Sequence, residues 1–287
     1  MKITENVHAL KVSFQIPVGP AKTIDRFVYV YFILGAVPWV IDTAVNESYP
    51  EIDGYLQKIG HSARDIAAAL LTHSHPDHIG SLGKLKSASG CRVISHRLEK
   101  EWIEDTELQF KTRPVPGFQK LVAGSVEVDQ TIGQGDILEV DGGPELEVFD
   151  TPGHSSGSVS FFLRPGNCLF CGDAVPVPGD LPIYDDVAAT VESLKKLREI
   201  PGIEILLPSW GEPVFGQHAS EAIERGMEYV RQIHDAVLDV GNHYGFEEPL
   251  SFCAHVQRKI GLEHVEPNPI LARTFMAHLE PKARNIL

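Results

Sequence analysis

The sequence predicts a layered α/β fold. Short apolar runs bounded by turn residues alternate with helix-period segments, and a helical character takes over after about residue 216. "HALKVSF", "FVYVYFIL" and "PWVIDTAV" read as three early strands. "YPEIDGYLQKIG" carries apolar residues at helical spacing (Ile52, Tyr55, Leu56, Ile59) and stops at Gly60. "IAAALLT" reads as a buried strand despite its alanines, because the chain turns abruptly after it. "HIGSLGKLKSASG" is a helix ended by Gly90, and "CRVISH" is the next strand.

Residues 97–135 interrupt this alternation. "RLEKEWIEDTEL" has helical spacing and "TRPVPGFQKLVAGS" is loop punctuated by Pro and Gly. Such an insertion suits a lid or substrate-binding loop, or equally a solvated surface excursion. Strands resume in "DILEV", "ELEVFD", "SVSFFL" and "NCLFCGD". The helix "VAATVESLKKLREIPG" follows, ended at Gly202, and then a last strand, "IEILLPS". Three helical segments complete the chain, starting with the long amphipathic "SEAIERGMEYVRQIHDAVLDVG". The expected organisation is a domain over 1–216 and a helical extension over 217–287.

Composition narrows the function classes. The 287 residues are 43% apolar and 22% charged, as in ordinary globular proteins. A formal net charge of −14 argues against nucleic acid as the main partner, since that binding is driven by Lys and Arg. No window approaches the eighteen uncharged apolar residues of a membrane span. "MKITENVHAL" has no apolar core of a secretory signal, so a cytoplasmic protein is expected. Cys168 and Cys171 form a CxxC, but within a strand positions three apart face opposite ways. They read as small buried residues rather than a redox or zinc pair.

The chemistry concentrates in "THSHPDH". His73 and His75 point the same way in an extended segment, Pro76 turns the chain, and Asp77 is expected at the N-cap of a helix from Ile79. With His78, this brings three imidazoles and a carboxylate around one small volume. That set suits a borderline divalent cation such as zinc, and is costly to bury without one. "DTPGHSSGSVS" places His154 in a Gly/Ser-rich loop between strands. "LFCGDA" places Asp173 just past a strand, where its two oxygens could bridge two metals. "WVIDTA" places Asp42 similarly, either orienting a histidine or capping a turn.

HSHPDH, TPGHSSGS and FCGDA, with VIDTA upstream, resemble the metallo-β-lactamase superfamily in order and spacing over residues 7–216. The resemblance implies a four-layer αββα sandwich with metal at one edge between the sheets, and hydrolysis by a metal-held hydroxide. It implies that His73, His75 and His154 hold a first metal, that Asp77 and His78 begin a second, and that Asp173 bridges. One or two zinc ions are the expected cofactor, with Fe2+ as the alternative. The sequence departs from the family where a final histidine ligand is usual, because Pro208-Ser209-Trp210-Gly211 stands there. A water or another histidine, with His218 nearest in sequence, could complete the second site; the site could be empty; or Ser209 and Trp210 could line a substrate pocket.

The leading reading is a metal-dependent hydrolase of a small-molecule ester, thioester, lactone or related bond, with Asp77 orienting or deprotonating the water. One alternative is a mononuclear iron oxidoreductase of the persulfide dioxygenase kind, using His73, His154 and Asp173. Another is a non-catalytic ligand-binding protein. The expected partner is a small molecule, with neither nucleic acid nor membrane. The apolar face of Ile270, Leu271, Phe275, Met276 and Leu279 either packs on the sandwich or makes a homodimer.

Overall fold

The computed structural model describes residues 1–19, 22–140, 143–245 and 248–283. A long hairpin opens the chain, β1 (Val7–Gly19) and β2 (Lys22–Leu34), followed by β3 (Pro38–Ile41). Helix α1 (Tyr49–Lys58) leads to β4 (Ala68–Leu70), a short helix α2 (Pro76–Ile79), α3 (Leu82–Ser89) and β5 (Arg92–His96). These strands and β6 (Gln130–Ile132) form one sheet in the order β1-β2-β3-β4-β5-β6, antiparallel through β3 and parallel beyond it. Between β5 and β6 run α4 (Lys100–Glu104) and α5 (Thr106–Thr112), then a Pro/Gly-rich loop as expected, broken by one short helix, α6 (Phe118–Leu121). Phe118, Leu121, Val122, Val126 and Val128 pack under the first sheet with Ile52, Leu56 and Leu82. Burial of Phe118 and Leu121 holds the one helical turn that follows Gly117.

The second sheet contains β7 (Ile137–Glu139), β8 (Glu145–Asp150), β9 (Val159–Arg164), β10 (Cys168–Gly172), β11 (Ile205–Pro208) and β12 (Val214–Phe215), and α7 (Val187–Glu199) lies between β10 and β11. Its order is β12-β11-β10-β9-β8-β7, antiparallel except for the β10/β11 pair. The two sheets face each other across one apolar layer, with Tyr31, Trp39, Ile41 and Ile94 from the first against Phe161, Leu163, Phe170 and Leu207 from the second. The Tyr31 hydroxyl crosses that layer and donates to the Pro208 carbonyl at 2.6 Å. The outer face of the second sheet packs Phe162, Leu169 and Cys171 against Val191 and Leu194 of α7. The result is helix, sheet, sheet, helix, as the family resemblance implies.

Cys168 lies in the layer between the sheets and Cys171 in the layer outside it, so the CxxC is split by the strand. Burial pushes the Cys168 thiol up to about 12, far from a reactive thiolate. All four cysteines are free and buried.

Helix α8 (Gln217–Tyr244) packs Ile223 and Met227 onto the second sheet's helical layer. Its distal half joins α9 (Pro249–Lys259) and α10 (Pro269–Ala277) in a separate cluster around Ile233, Val237, Phe252, Val256, Leu271 and Phe275. Leu271 and Phe275, the centre of the apolar face noted in the sequence, are spent in this cluster, with Met276 and Leu279 packed at its edge. Among the described residues, no helix is long and apolar enough to cross a membrane.

Candidate metal centre

The residues of "THSHPDH" leave the C-terminal end of β4, where a parallel strand delivers side chains to the edge of the sandwich. Pro76 takes the first helical position of α2 and His75 is the N-cap, so Asp77 sits inside the first turn rather than capping it as the sequence suggested. His73, His75 and His78 are all buried. Asp42, at the end of β3, holds a left-handed φ of 59°, uncommon for any residue but Gly. There its carboxylate accepts three hydrogen bonds: from the Thr72 N–H at 2.9 Å, the Thr72 hydroxyl at 2.8 Å and His78 Nδ1 at 2.8 Å. It thereby ties the start of the motif to its last histidine.

His154 and Asp173 arrive from the second sheet, and a glycine precedes each. Gly153 has a φ of 136°, and a Cβ there would lie 2.3 Å from Thr190 Oγ1 on α7. Gly172 has a φ of 51°, and a Cβ there would lie 2.8 Å from the Thr72 Cβ. Only glycine lets the two loops approach so closely. His154 Nδ1 donates to the Ile183 carbonyl at 2.5 Å. The next residue, Tyr184, is bound into the C-terminal helices: its hydroxyl meets His278 Nε2 at 2.8 Å, and its carbonyl accepts from the Thr274 hydroxyl at 3.0 Å.

The sequence reading missed Glu99. Its buried carboxylate accepts from the Ser74 N–H at 2.9 Å, the Ser74 hydroxyl, the Ser155 hydroxyl at 2.8 Å and the Gly157 N–H at 2.7 Å. It therefore stitches the His73/His75 loop to the His154 loop. One more acid in the helix-like "RLEKEWIEDTEL" gave no sign of this.

The donor atoms converge. His73, His75 and His154 each offer a ring nitrogen within one span of 4.8 Å. His73, His78 and a carboxylate oxygen of Asp173 form a second set within the same span. His78 Nδ1 and His154 Nδ1 are committed to Asp42 and Ile183, and His73 Nδ1 meets the Thr72 hydroxyl at 3.1 Å. These partners fix the tautomers and leave the three Nε2 lone pairs facing inward. His154 Nε2 lies only 2.7 Å from His75 Nδ1. The contact is a hydrogen bond if His75 Nδ1 carries the ring proton; with the proton on Nε2 the two lone pairs would face each other, an arrangement a cation between them would relieve. Nε2 of His73, His75 and His78 and Oδ1 of Asp173 are buried without a hydrogen-bond partner among the described residues. This set of nitrogen and carboxylate donors fits a divalent cation.

The electrostatics agree. Burial, reinforced by neighbouring cationic groups, holds His73 and His75 well below the usual imidazole range. Burial also lowers His154, against a partial opposing pull from Asp173. These three are neutral and so able to donate lone pairs. His78 differs: burial acts to lower it, but Asp173, Asp42 and Asp77 together hold it well above the usual range. Asp173 is kept below the usual carboxylate range because His78 and His154 outweigh its burial. Positive charge is demanded at this corner, whether as a metal ion or as a proton on His78.

The remaining predicted residues divide. Trp210 reaches the site: its indole N–H donates to Asp77 Oδ2 at 2.9 Å, the same oxygen that faces His78 Nε2 at 3.6 Å. The Arg26 guanidinium stacks over the Trp210 ring at 4.0 Å and is itself held by Asp180 at 2.9 and 3.1 Å. Ser209 is buried and uses its backbone to join the sheets, with its N–H on the Gly172 carbonyl and its carbonyl on the Tyr29 N–H. It does not line the pocket. His218 is exposed at the start of α8 and pairs with Glu221 at 2.8 Å, so it supplies no ligand to the cluster. A cleft open to solvent lies at the donor cluster, with His75, Asp77, His154, Asp173 and Trp210 among its walls. Phe14, Ile16, Val115, Leu121, Ile183 and Ile270 make most of the rest. The insertion therefore contributes to the site, through Val115, Leu121 and Arg113.

Comparison with known proteins points the same way. The chain is 28% identical over 203 residues to the probable metallo-hydrolase YqgX of Bacillus subtilis, spanning 69% of this chain and 89% of that protein. It is 29% identical over 153 residues to the hydroxyacylglutathione hydrolase of Hyphomonas neptunium, about half the length of each (53% and 51%). The fold matches a metallo-β-lactamase family protein of Thermus thermophilus with a TM-score of 0.75 and 22% identity, over 97% of this chain and 93% of that one. A subclass B3 metallo-β-lactamase of Bradyrhizobium japonicum matches with a TM-score of 0.59 and 22% identity, over 74% and 88%. The profile of the metallo-β-lactamase superfamily covers residues 23–209, from the opening hairpin to the strand before Trp210. The chain belongs to the metallo-β-lactamase superfamily.

Proposed function

We propose that the protein is a metal-dependent hydrolase of small-molecule esters, thioesters or lactones, built on one zinc ion per chain. The observation that carries this reading is the convergence of inward-facing, neutral imidazoles from His73, His75 and His154 beside Asp173. Zinc fits three nitrogen ligands and a carboxylate. The hydroxyacylglutathione hydrolases among its relatives, which act on a thioester, support acyl chemistry, although the chain spans only about half their length. The second ion is omitted because the Asp77 oxygen facing His78 already accepts from the Trp210 indole, which leaves that side with only His78 and Asp173, and His73 shared between the two sets.

A divalent cation at this place supplies an ionised water near neutral pH and polarises a carbonyl oxygen. The protein's own residues do the remainder. Asp77, held by Trp210 at 2.9 Å, orients the attacking water and takes up its proton. Asp42 and Glu99 fix the loops that present the histidines. The apolar walls lower the local dielectric, which strengthens the charge interactions beside them.

The test is a screen of thioesters, esters and lactones with protein purified without added metal, then stripped by chelator and reloaded with zinc. Turnover that disappears with the metal and returns with it supports the reading. Stoichiometrically loaded protein that cleaves none of the three classes contradicts it.

A further inference from the structure

Arg113 has no place in the chemistry described so far. It lies just past α5 in the insertion and is only 7% exposed. Its guanidinium makes no hydrogen bond and no ion pair among the described residues, yet it lines the cleft beside His75 and Asp77. A buried cation without a partner is costly, and one facing a cationic metal centre is costlier still. The nearby acids do not relieve it. Asp185 pairs with Arg273 at 3.9 Å, Asp77 takes the Trp210 indole, and Asp173 faces His154 and His78 at 3.3 and 3.5 Å. Burial outweighs the pull of these carboxylates on Arg113 and lowers its guanidinium.

We infer that Arg113 is the recognition point for a carboxylate carried by the substrate, which lies in the apolar cleft with its acyl group at the metal-binding histidines. The inference rests on the hydrolase reading for the identity of that acyl group, but not for the carboxylate. A planar guanidinium binds a carboxylate through two parallel N–H bonds, and low dielectric makes that pair strong. Charge selects a carboxylate over a phosphate ester. Arg113 is the one Lys or Arg among the described residues lining the cleft, and a phosphate dianion would leave a charge unmatched. The apolar walls around it accept a short hydrocarbon spacer between the carboxylate and the reacting carbonyl.

The test uses the zinc-loaded protein and two probes that are not readily turned over, glutarate monoamide and glutardiamide, which differ in one carboxylate. Calorimetry gives the ratio of their affinities for wild type, Arg113→Met and Arg113→Lys, and zinc content is measured in each. The wild type is expected to prefer the monoamide by roughly thirtyfold or more, from the scale of buried charge pairs. Arg113→Met is expected to bring the ratio near one, and Arg113→Lys to leave an intermediate value, all three with equal zinc. No measurable preference in the wild type overturns the inference. So does a preference that survives Arg113→Met, which would put the carboxylate on the metal. If no acyl substrate is cleaved in any screen, the hydrolase reading falls while this ratio still decides the role of Arg113.

Discussion

The two halves of the donor cluster are built from the same kinds of residue and differ in what already satisfies them. On the His73, His75 and His154 side, each Nε2 or Nδ1 that faces inward meets only another imidazole or a carboxylate. On the His78 and Asp77 side, an indole N–H caps the carboxylate oxygen that faces the histidine. One half is a set of inward-facing nitrogen donors, and the other has a neutral N–H donor supplied by the protein. Trp210 therefore does more than fill the turn at 208–211. It gives Asp77 a partner, which Arg26 and Asp180 hold in place from behind.

The largest effect should come from breaking the open half. His75→Ala is expected to lose most bound zinc and to lower turnover by roughly a thousandfold or more, since ligand and orientation go together. Elemental analysis of the folded variant checks this, and a full complement of zinc would contradict it. Next comes the carboxylate that joins the two loops. Glu99→Ala leaves Ser74, Ser155 and Gly157 with unpaired buried groups, so roughly 3 kcal/mol or more of stability should be lost. Zinc affinity should fall roughly tenfold to a hundredfold. Chemical denaturation and competition with a chelator read the two losses separately.

The capped half should respond in the opposite direction. Trp210→His removes the indole from Asp77 and introduces a nitrogen donor, so metal content should rise from one ion towards two. A count that stays at one would mean that Trp210 is not what closes that half.

The layered fold was legible in the sequence because hydrophobic period and turn residues agree along most of the chain. His73, His75, His78, His154 and Asp173 were legible because each follows a strand end or a Gly-rich turn in a recognisable pattern. Glu99 and Arg113 were not, since their partners lie 25 to 58 residues away for Glu99, and for Arg113 the meaning lies in having none. The single helical turn at Phe118–Leu121 was hidden because Pro and Gly dominate the local signal while Phe118 and Leu121 are fixed by tertiary burial. The turn Pro208-Ser209-Trp210-Gly211 read as one that lacks a ligand histidine, with Ser209 and Trp210 free to line a pocket. That the Trp210 N–H reaches Asp77, 133 residues away in sequence, is a fact of packing that no local pattern encodes.

The effect most remote from the metal-binding residues concerns the support behind His154. His278 is fully buried between Tyr184 and His234, and burial, with His234 beside it, holds it down at about 3. The unfolded chain takes up a proton on this residue below about pH 6.5, and the folded one resists until about 3. Its contribution to stability is therefore complete above pH 6.5 and drains as the pH falls towards 3, with a slope of at most about 1.4 kcal/mol per pH unit. Denaturation midpoints across that window should flatten in His278→Asn. An unchanged slope would show that the histidine does not carry it.

The most direct measurement is the metal content of protein purified without added metal or chelator. One zinc ion per chain is the predicted result, with the second position closed by Trp210. Two ions per chain would contradict the account, because Trp210 would then not be closing that half.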